Sequence, residues 1–266
     1  MSESPLHQLY DINQDLLLWL KGDEHGRREE FAQAVDRARA RGASAGDTAQ
    51  QALSVPVTDA DAAAATDAAP LDRDQRLRAL EAIATKVRDC RLCPLSLGRT
   101  NAVPGYGQLD PMVMVVGEGP GANEDAQGLP FVGAAGQYLD KWLAAIGLSR
   151  ETNAFIANIV KCRPPGNRDP KPDEITSCAP YLQQQIQLVR PRLILTVGRI
   201  ATRILTGVTT GITRIHGTFY EYQGYPVVAT FHPSAVLRNP DWRVPVWEDL
   251  QAVRDWLVTE AGHQTP

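Results

Sequence analysis

Four short apolar runs constrain this chain more than any other feature: PMVMVVG (111–117), AFIANIV (154–160), RLILTVG (192–198) and YPVVATF (225–231). Each is bounded by Gly, Pro or polar residues, and none alternates cleanly between apolar and polar positions. That is the pattern of a strand buried on both faces. Segments with helical character lie between them, at 136–146, 172–190 and 199–205. Strands alternating with helices predict an α/β fold with a parallel sheet covered on both sides. Ligands of such sheets bind at the carboxyl ends of the strands. GEGPG (117–121), the stretch 158–163, GRIAT (198–202) and HPSAVLRN (232–239) are therefore expected to meet at one crevice.

Upstream of the first run, residues 71–89 fit a helix, with Leu77, Leu80, Ile83 and Val87 near helical spacing. Residues 6–20 read as a short helix with Leu6, Leu9, Tyr10, Leu16, Leu17 and Leu20 on a broad apolar side. Residues 22–41 are helical by propensity with little to bury. Residues 42–70 turn to Ala, Ser, Thr, Asp and Gly, the composition of a linker. The expected division is a helical arm (1–41), a flexible linker (42–70) and one domain (71–266). Within the linker, QALSV (51–55) faintly resembles a sliding-clamp peptide, which would give a weak contact.

Charge follows the same division. Residues 1–85 carry 9 Lys+Arg and 15 Asp+Glu, a net −6, whereas residues 86–266 carry 18 and 16, a net +2. The acidity of the whole chain thus leaves room for an anionic partner at the domain. No 18-residue apolar stretch is present, so no membrane span is expected. The N-terminus lacks a basic start followed by an apolar run, so a cytoplasmic setting is expected. In that reducing setting the four cysteines are not expected to be disulfides.

Those cysteines are Cys90, Cys93, Cys162 and Cys178, spaced as C-x2-C, 68 residues, then C-x15-C. Charged and polar neighbours (Asp89, Arg91, Arg163, Ser177) argue against buried free thiols. A structural zinc site usually has short paired spacings on both halves. Four thiolates with one long gap suit an iron–sulfur cluster equally well or better.

GEGPGA (117–122) formally matches G-x-G-x-x-A, and Asp140 stands where a dinucleotide fingerprint places an acidic residue. That fingerprint needs the loop to open a helix directly. The next fifteen residues, ANEDAQGLPFVGAAG, hold two carboxylates, a Pro and three Gly, so a helix is expected only from Gly136. The nicotinamide reading, an oxidoreductase, is set aside on that ground. His232 follows the fourth run and should face the crevice; His216, in TRIHG, is a weaker candidate.

Together, GEGPG-x2-ED-x2-G-x-PFVG-x-AG (117–136), ANIVKCRPP (157–165), the cysteine spacing and HPSA (232–235) resemble the family 4 uracil-DNA glycosylases, in order over about 88–257. The resemblance implies a three-layer α/β/α sandwich with a central, mainly parallel four-stranded sheet. It implies a [4Fe-4S] cluster on the four cysteines, and a nucleoid-associated monomer acting in base excision repair. The reaction is hydrolysis of uracil from single- or double-stranded DNA. A base inside a duplex is out of reach, so the nucleotide must be flipped into a pocket. Phe131 matches the aromatic that stacks on the uracil. Asn158 matches the amide that accepts from N3–H and donates to O4, a pattern that cytosine reverses. His232 matches the histidine facing O2 of the leaving base, with the backbone amides of Glu118 and Gly119 assisting. Glu124 matches the residue beside C5 that excludes a thymine methyl, and Glu118 and Glu124 are candidates to order the attacking water.

One departure stands in the loop. The family commonly has Ala at its third position, where this chain has Gly119; a related family has an aspartate base there. Gly should loosen the loop, and His232→Ala is expected to cost more activity than Glu124→Ala. Leu237 is the expected wedge into the gap left by the flipped base, with Arg238 and Asn239 beside it. Arg163, Arg168 and Lys171 are expected at phosphates. A uracil-DNA binding protein of the same fold with lost or altered turnover is the alternative.

Overall fold

The computed structural model describes residues 71–263. The expected arm and linker, including the sliding-clamp-like segment, lie outside the described residues. Six strands form one sheet: β1 (Tyr106–Gly107), β2 (Val113–Gly117), β3 (Ala154–Asn158), β4 (Leu193–Val197), β5 (Phe219–Tyr222) and β6 (Tyr225–Thr230). Their order is β1-β3-β2-β4-β6-β5. The four central strands are parallel and are the four apolar runs. The sheet has six strands rather than four because an antiparallel strand joins each edge, β1 on β3 and β5 on β6. Sequence periodicity passed over both. β1 is two residues long, and FYEY in β5 is only partly buried, so neither carries the continuous apolar signal of a central strand.

The helices are α1 (Arg73–Asp89), α2 (Leu95–Gly98), α3 (Ala122–Gln127), α4 (Ala134–Ala145), α5 (Pro172–Val189), α6 (Arg199–Thr206), α7 (Ile212–Ile215), α8 (Pro233–Arg238) and α9 (Arg243–His263). They form a layer on each face of the sheet. The alternation within β2 shows the division: Met114 and Val116 pack with Ile83 and Val87 of α1 and Ile186 of α5. Val113 and Val115 pack with Leu139 and Leu143 of α4 and Leu250 and Val253 of α9. All five residues of β2, β3 and β4 are buried, as expected where both faces are covered.

α1 is built into the domain. Asp72 and Gln75 cap its first turn reciprocally, at 2.8 and 2.9 Å. Arg76 makes a two-pronged ion pair with Asp110 and donates to the Leu188 carbonyl.

The glycine loop differs from expectation in one respect. It does open a helix directly, the six-residue α3, which ends at Gly128 in the left-handed conformation (φ 72°). Glu124 and Asp125 in the first turn favour the helix N-terminus, a signal outweighed in the sequence by the surrounding Gly and Pro. The chain then turns back at Phe131 and restarts as α4.

Candidate active site

Gly117 and Asn158 end two neighbouring parallel strands and stand opposite one another in register. A methyl placed on Gly117 would lie 2.5 Å from Asn158 Oδ1 and 2.6 Å from Phe131 Cζ. Three groups from β2, β3 and the turn before α4 therefore converge on a point where only hydrogen fits. Asn158 is 1% exposed, and its Oδ1 is buried without a hydrogen-bond partner among the described residues. Such an orphan costs about 1–3 kcal/mol in a folded protein and calls for an explanation.

Phe131 is buried beside it in the left-handed region (φ 52°), a strained setting for a bulky residue. Three features hold it. Arg150 donates to the carbonyls of Pro130 (2.7 Å) and Phe131 (2.8 Å) and is itself paired with Asp140. Gly136 in the first turn of α4 lies so close that a side chain there would overlap the Phe131 carbonyl. Glu124 accepts from the backbone N–H groups of Val132 and Gly133 with one oxygen, both at 2.8 Å, and from Gly121 with the other. Its carboxylate thus ties the glycine loop to the turn that carries Phe131.

His232 caps α8, and its ring lies 5.7 Å from that of Phe131, centroid to centroid. The Ser234 N–H donates to Nδ1 at 3.1 Å, and Ser234 Oγ lies 2.8 Å from the same nitrogen. Nδ1 is therefore the acceptor, which puts the ring proton on Nε2. Burial, reinforced by the positive charge of Arg238 and opposed by Glu124, pulls the imidazole down to about 4. At neutral pH it is an uncharged donor through Nε2–H. Behind it, Thr230 at the end of β6 donates to Asp249 Oδ2 (2.6 Å), and His216 Nδ1 meets Asp249 Oδ1 (2.9 Å). Burial pushes the Asp249 carboxyl up to about 6. Asp249 of α9 thus braces the end of β6, with His216, just past α7, on its other oxygen; His216 pairs there and not with Asn158, Phe131 or His232.

Glu118 is the other carboxylate of the loop. Its carbonyl accepts from Val160 N–H, and its side chain takes no hydrogen bond from the described residues. Burial and then the charge of Asp169 push its carboxyl up, opposed by Arg199. Arg199 and Asp169 pair at 2.7 Å across the crevice mouth. At Gly119, a methyl would come within 2.8 Å of Val160 Cγ2. Val160 is buried, so it fills the space that an alanine would claim.

The four cysteines, drawn from 90–93, 162 and 178, line one pocket together with Val87, Lys161 and Tyr181. Among the described residues no group of three or more His, Cys, Asp and Glu is arranged as a site for a single metal ion. Sulfur acceptors are supplied with donors: Arg99 Nη1 reaches Cys162 Sγ at 2.8 Å, Lys161 N–H reaches Cys178 Sγ at 3.3 Å and Leu92 N–H reaches Cys90 Sγ at 3.5 Å. Burial raises the Cys93 and Cys162 thiols and pushes Cys178 up to about 11, and nearby thiols add to the shift. Lys161 joins this pocket to the end of β3 beside Gly117 and Phe131. It is 1% exposed, and its ammonium donates to the Asn158 carbonyl (2.9 Å) and to Gln185 Oε1 (2.6 Å).

Of the residues expected at DNA, Leu237 (45% exposed) and Arg238 stand free on α8. Arg163 is held by Asn167 Oδ1, and Lys171 is exposed. Arg168 is committed to Glu174 in a two-pronged pair with its carboxylate, so its charge is neutralised there. The sequence reading missed Arg150, Lys161, Asp249 and Arg199. Lys161 and Arg199 lie inside segments expected at the crevice, 158–163 and 198–202, without being singled out; Arg150 and Asp249 reach the site from distant elements and carry no local signal.

The model of the uracil DNA glycosylase superfamily matches residues 104–251. Three type-4 uracil-DNA glycosylases are similar over most of their length. That of Saccharolobus solfataricus is 46% identical over 190 residues, 68% of this chain and 88% of its own. That of Sulfurisphaera tokodaii is 44% identical over 189 residues, covering 68% and 86%. That of Thermotoga maritima is 40% identical over 185 residues, covering 68% and 96%. By the family match and by the extent of these similarities, this chain belongs to the uracil DNA glycosylase superfamily and, within it, to the type-4 uracil-DNA glycosylases.

Proposed function

We propose that this protein releases uracil from DNA, leaving an abasic site for repair, and that the pocket of Gly117, Phe131, Asn158 and His232 performs the reaction. The observation that carries this is the buried, unpartnered Asn158 Oδ1 beside the Phe131 ring. A flat base against Phe131 would give that oxygen the N3–H of uracil, while the amide nitrogen donates to O4. Cytosine offers an acceptor at N3 and a donor at position 4, so it would meet like against like.

The step is hydrolysis. The C1′–N1 bond breaks with its electron pair leaving on the base, and negative charge gathers on O2. His232 Nε2–H donates to that oxygen as a neutral group and keeps its own proton. A placed donor of this kind is worth about 3 kcal/mol. Water adds to C1′ and gives up a proton, for which the raised Glu118 carboxylate is the acceptor. The base takes up a proton and departs as uracil. Glu124, with both oxygens occupied by backbone amides, holds the shape of the pocket and the space beside C5.

Cys90, Cys93, Cys162 and Cys178 would hold a [4Fe-4S] cluster. An all-sulfur donor set around one pocket, with N–H groups aimed at three of the sulfurs, suits it. When bound, the cluster supplies a cross-link between the segment before β1 and the loop after β3, with no open coordination position. Residues 71–266 would be the catalytic unit behind the 1–41 arm and 42–70 linker. Its DNA contacts are Leu237, Arg238 and Arg163. No helix among the described residues is long and apolar enough to cross a membrane.

The test is an oligonucleotide carrying one uracil. Free uracil should be released, with an abasic site left that alkali cleaves. Retardation of the DNA without release would mean a binding protein and overturn the proposal.

A further inference from the structure

The base pocket and its wedge account for one side of the crevice only. Leu237 and Arg238 follow β6, whereas β3 is three strand steps away across β2 and β4. At ~4.8 Å per step that separation is about 14 Å. On the β3 side an open groove runs beside α3, between Gln127–Leu129 at that helix's end and the segment 88–102. α3 stands between the groove and the pocket: Glu124 faces the pocket turn, while Asn101 Nδ2 donates to the carbonyls of Asp125 and Ala126 on the groove side.

The lining carries Arg88, Arg91 and Arg99 with Thr100, Asn101 and Gln127, and no carboxylate. Of the two carboxylates of α3, Glu124 is taken by backbone N–H groups on the pocket side, and Asp125 is buried and spends Oδ1 on the N–H groups of Thr100 and Asn101; the exposed Asp89 follows Arg88 in the chain and does not line the groove. Arg99 is turned inward to Cys162 Sγ and to the carbonyls of Arg88 and Cys90. Arg88 and Arg91 are exposed, and their guanidinium groups have no hydrogen bond or ion pair among the described residues. Two cations without a partner among the described residues therefore stand over a floor of Thr100, Asn101 and Gln127 with the exposed Leu97 and Leu129, on a segment held by the cysteines and Arg99.

We propose that this groove is a second DNA contact. It takes the phosphodiester backbone flanking the flipped nucleotide, on the side opposite Leu237, with Arg88 and Arg91 on successive phosphates. The inference rests on the glycosylase reading and extends it. It also gives the cysteine-bound segment a task beyond stability, since that segment carries the groove's Arg91.

The test uses the full chain and undamaged duplex DNA, with affinity read by fluorescence anisotropy against salt. Each phosphate contact removed should flatten the slope of log K against log salt by about 0.9. R88Q/R91Q should therefore lose about 1.8 from the slope, and R88K/R91K should keep it, because lysine is still a point charge at a phosphate. Duplexes with the uracil moved toward one end and then the other should bind the native protein less well from both sides. The glutamine variant should become indifferent to truncation on one side only. Arg91 lies between two cysteines; if the double variant fails to fold, R88Q alone should flatten the slope by about 0.9. An unchanged slope and truncation profile in R88Q overturns the groove, as does tighter DNA binding by either variant, the result expected if the acidic upstream segment occupied it. Uracil release by the native protein, scored separately, tells such a failure from failure of the glycosylase reading.

Discussion

Asn158→Leu separates recognition from stability in opposite directions. The side chain is 1% exposed, and its Oδ1 has no partner among the described residues. An unsatisfied buried acceptor costs about 1–3 kcal/mol, and an apolar group of similar branched shape does not incur that penalty. Leucine branches at the same carbon, and Oδ1 lies by the Gly117 Cα and the Phe131 ring, against which a methyl can pack. The strand end itself stays anchored, because Lys161 holds the Asn158 main-chain carbonyl. The free variant should thus be more stable by about 1–2 kcal/mol, allowing for imperfect packing. For a domain of this size that raises the melting midpoint by roughly 2–8 °C. Uracil release should fall at the same time. Two hydrogen bonds to the base in a dry pocket are lost, about 2–4 kcal/mol, or roughly 30- to 1000-fold in kcat/KM. Calorimetry and a uracil-release assay on one preparation decide the matter. A variant that melts lower than the native protein, or that keeps native activity, would falsify the assignment of Oδ1 to the substrate.

Other expectations follow from the same geometry. His232→Ala should lower kcat on the order of 100-fold, the loss of one placed donor. Its folded pKa of about 4 lies below the ordinary 6.5, so the unfolded chain binds the extra proton between those values. Native stability should fall as pH drops from 6.5 to 4, and denaturant titrations of His232→Ala should show a shallower fall. Arg150→Lys keeps a cation for Asp140 but cannot span both carbonyls; activity should drop about tenfold, ~1.4 kcal/mol, while the melting midpoint moves by only a few degrees. Gly136→Ala forces a side chain into the Phe131 carbonyl and should destabilise by about 3 kcal/mol, read as a lower melting midpoint and loss of uracil release. Cys178→Ser should lower bound iron and sulfide per chain together, and a protein binding zinc in place of iron would overturn the cluster.

The sheet was legible where burial is two-sided. The four parallel strands coincide with the apolar runs because both faces of each are covered, so the only polar side chains in them are Thr196 within β4, Asn158 at the end of β3 and Thr230 at the end of β6. The antiparallel edges were not legible, since Tyr106–Gly107 and Phe219–Tyr222 owe their pairing to β3 and β6 and not to their own composition. The same contrast runs through the site. Asn158 and His232 stood out because a polar residue at the end of an apolar strand needs a reason. Arg150 did not, since its carbonyl partners lie 19 and 20 residues away and only the fold brings them together. Arg168 shows the converse: a basic residue in a suggestive loop whose charge is taken by Glu174.

Gly119 illustrates how a departure from the family's pattern becomes intelligible only with its neighbour. Alone, glycine in place of alanine suggests a looser loop, since it adds backbone freedom worth about 0.4–1 kcal/mol in the unfolded chain. Here Val160 Cγ2 already stands where the alanine methyl would sit, and Val160 N–H is bonded to the Glu118 carbonyl. The loop is therefore filled from the β3 side and tied to it. Two residues on from Val160 is Cys162, and Lys161 between them holds both the Asn158 carbonyl and, through its amide, Cys178. The glycine loop, the Asn158 amide and the cysteine pocket thus rest on a single five-residue stretch, 158–162. Tightness at position 119 is set by that stretch, so restoring alanine without shrinking Val160 should loosen the site instead of firming it.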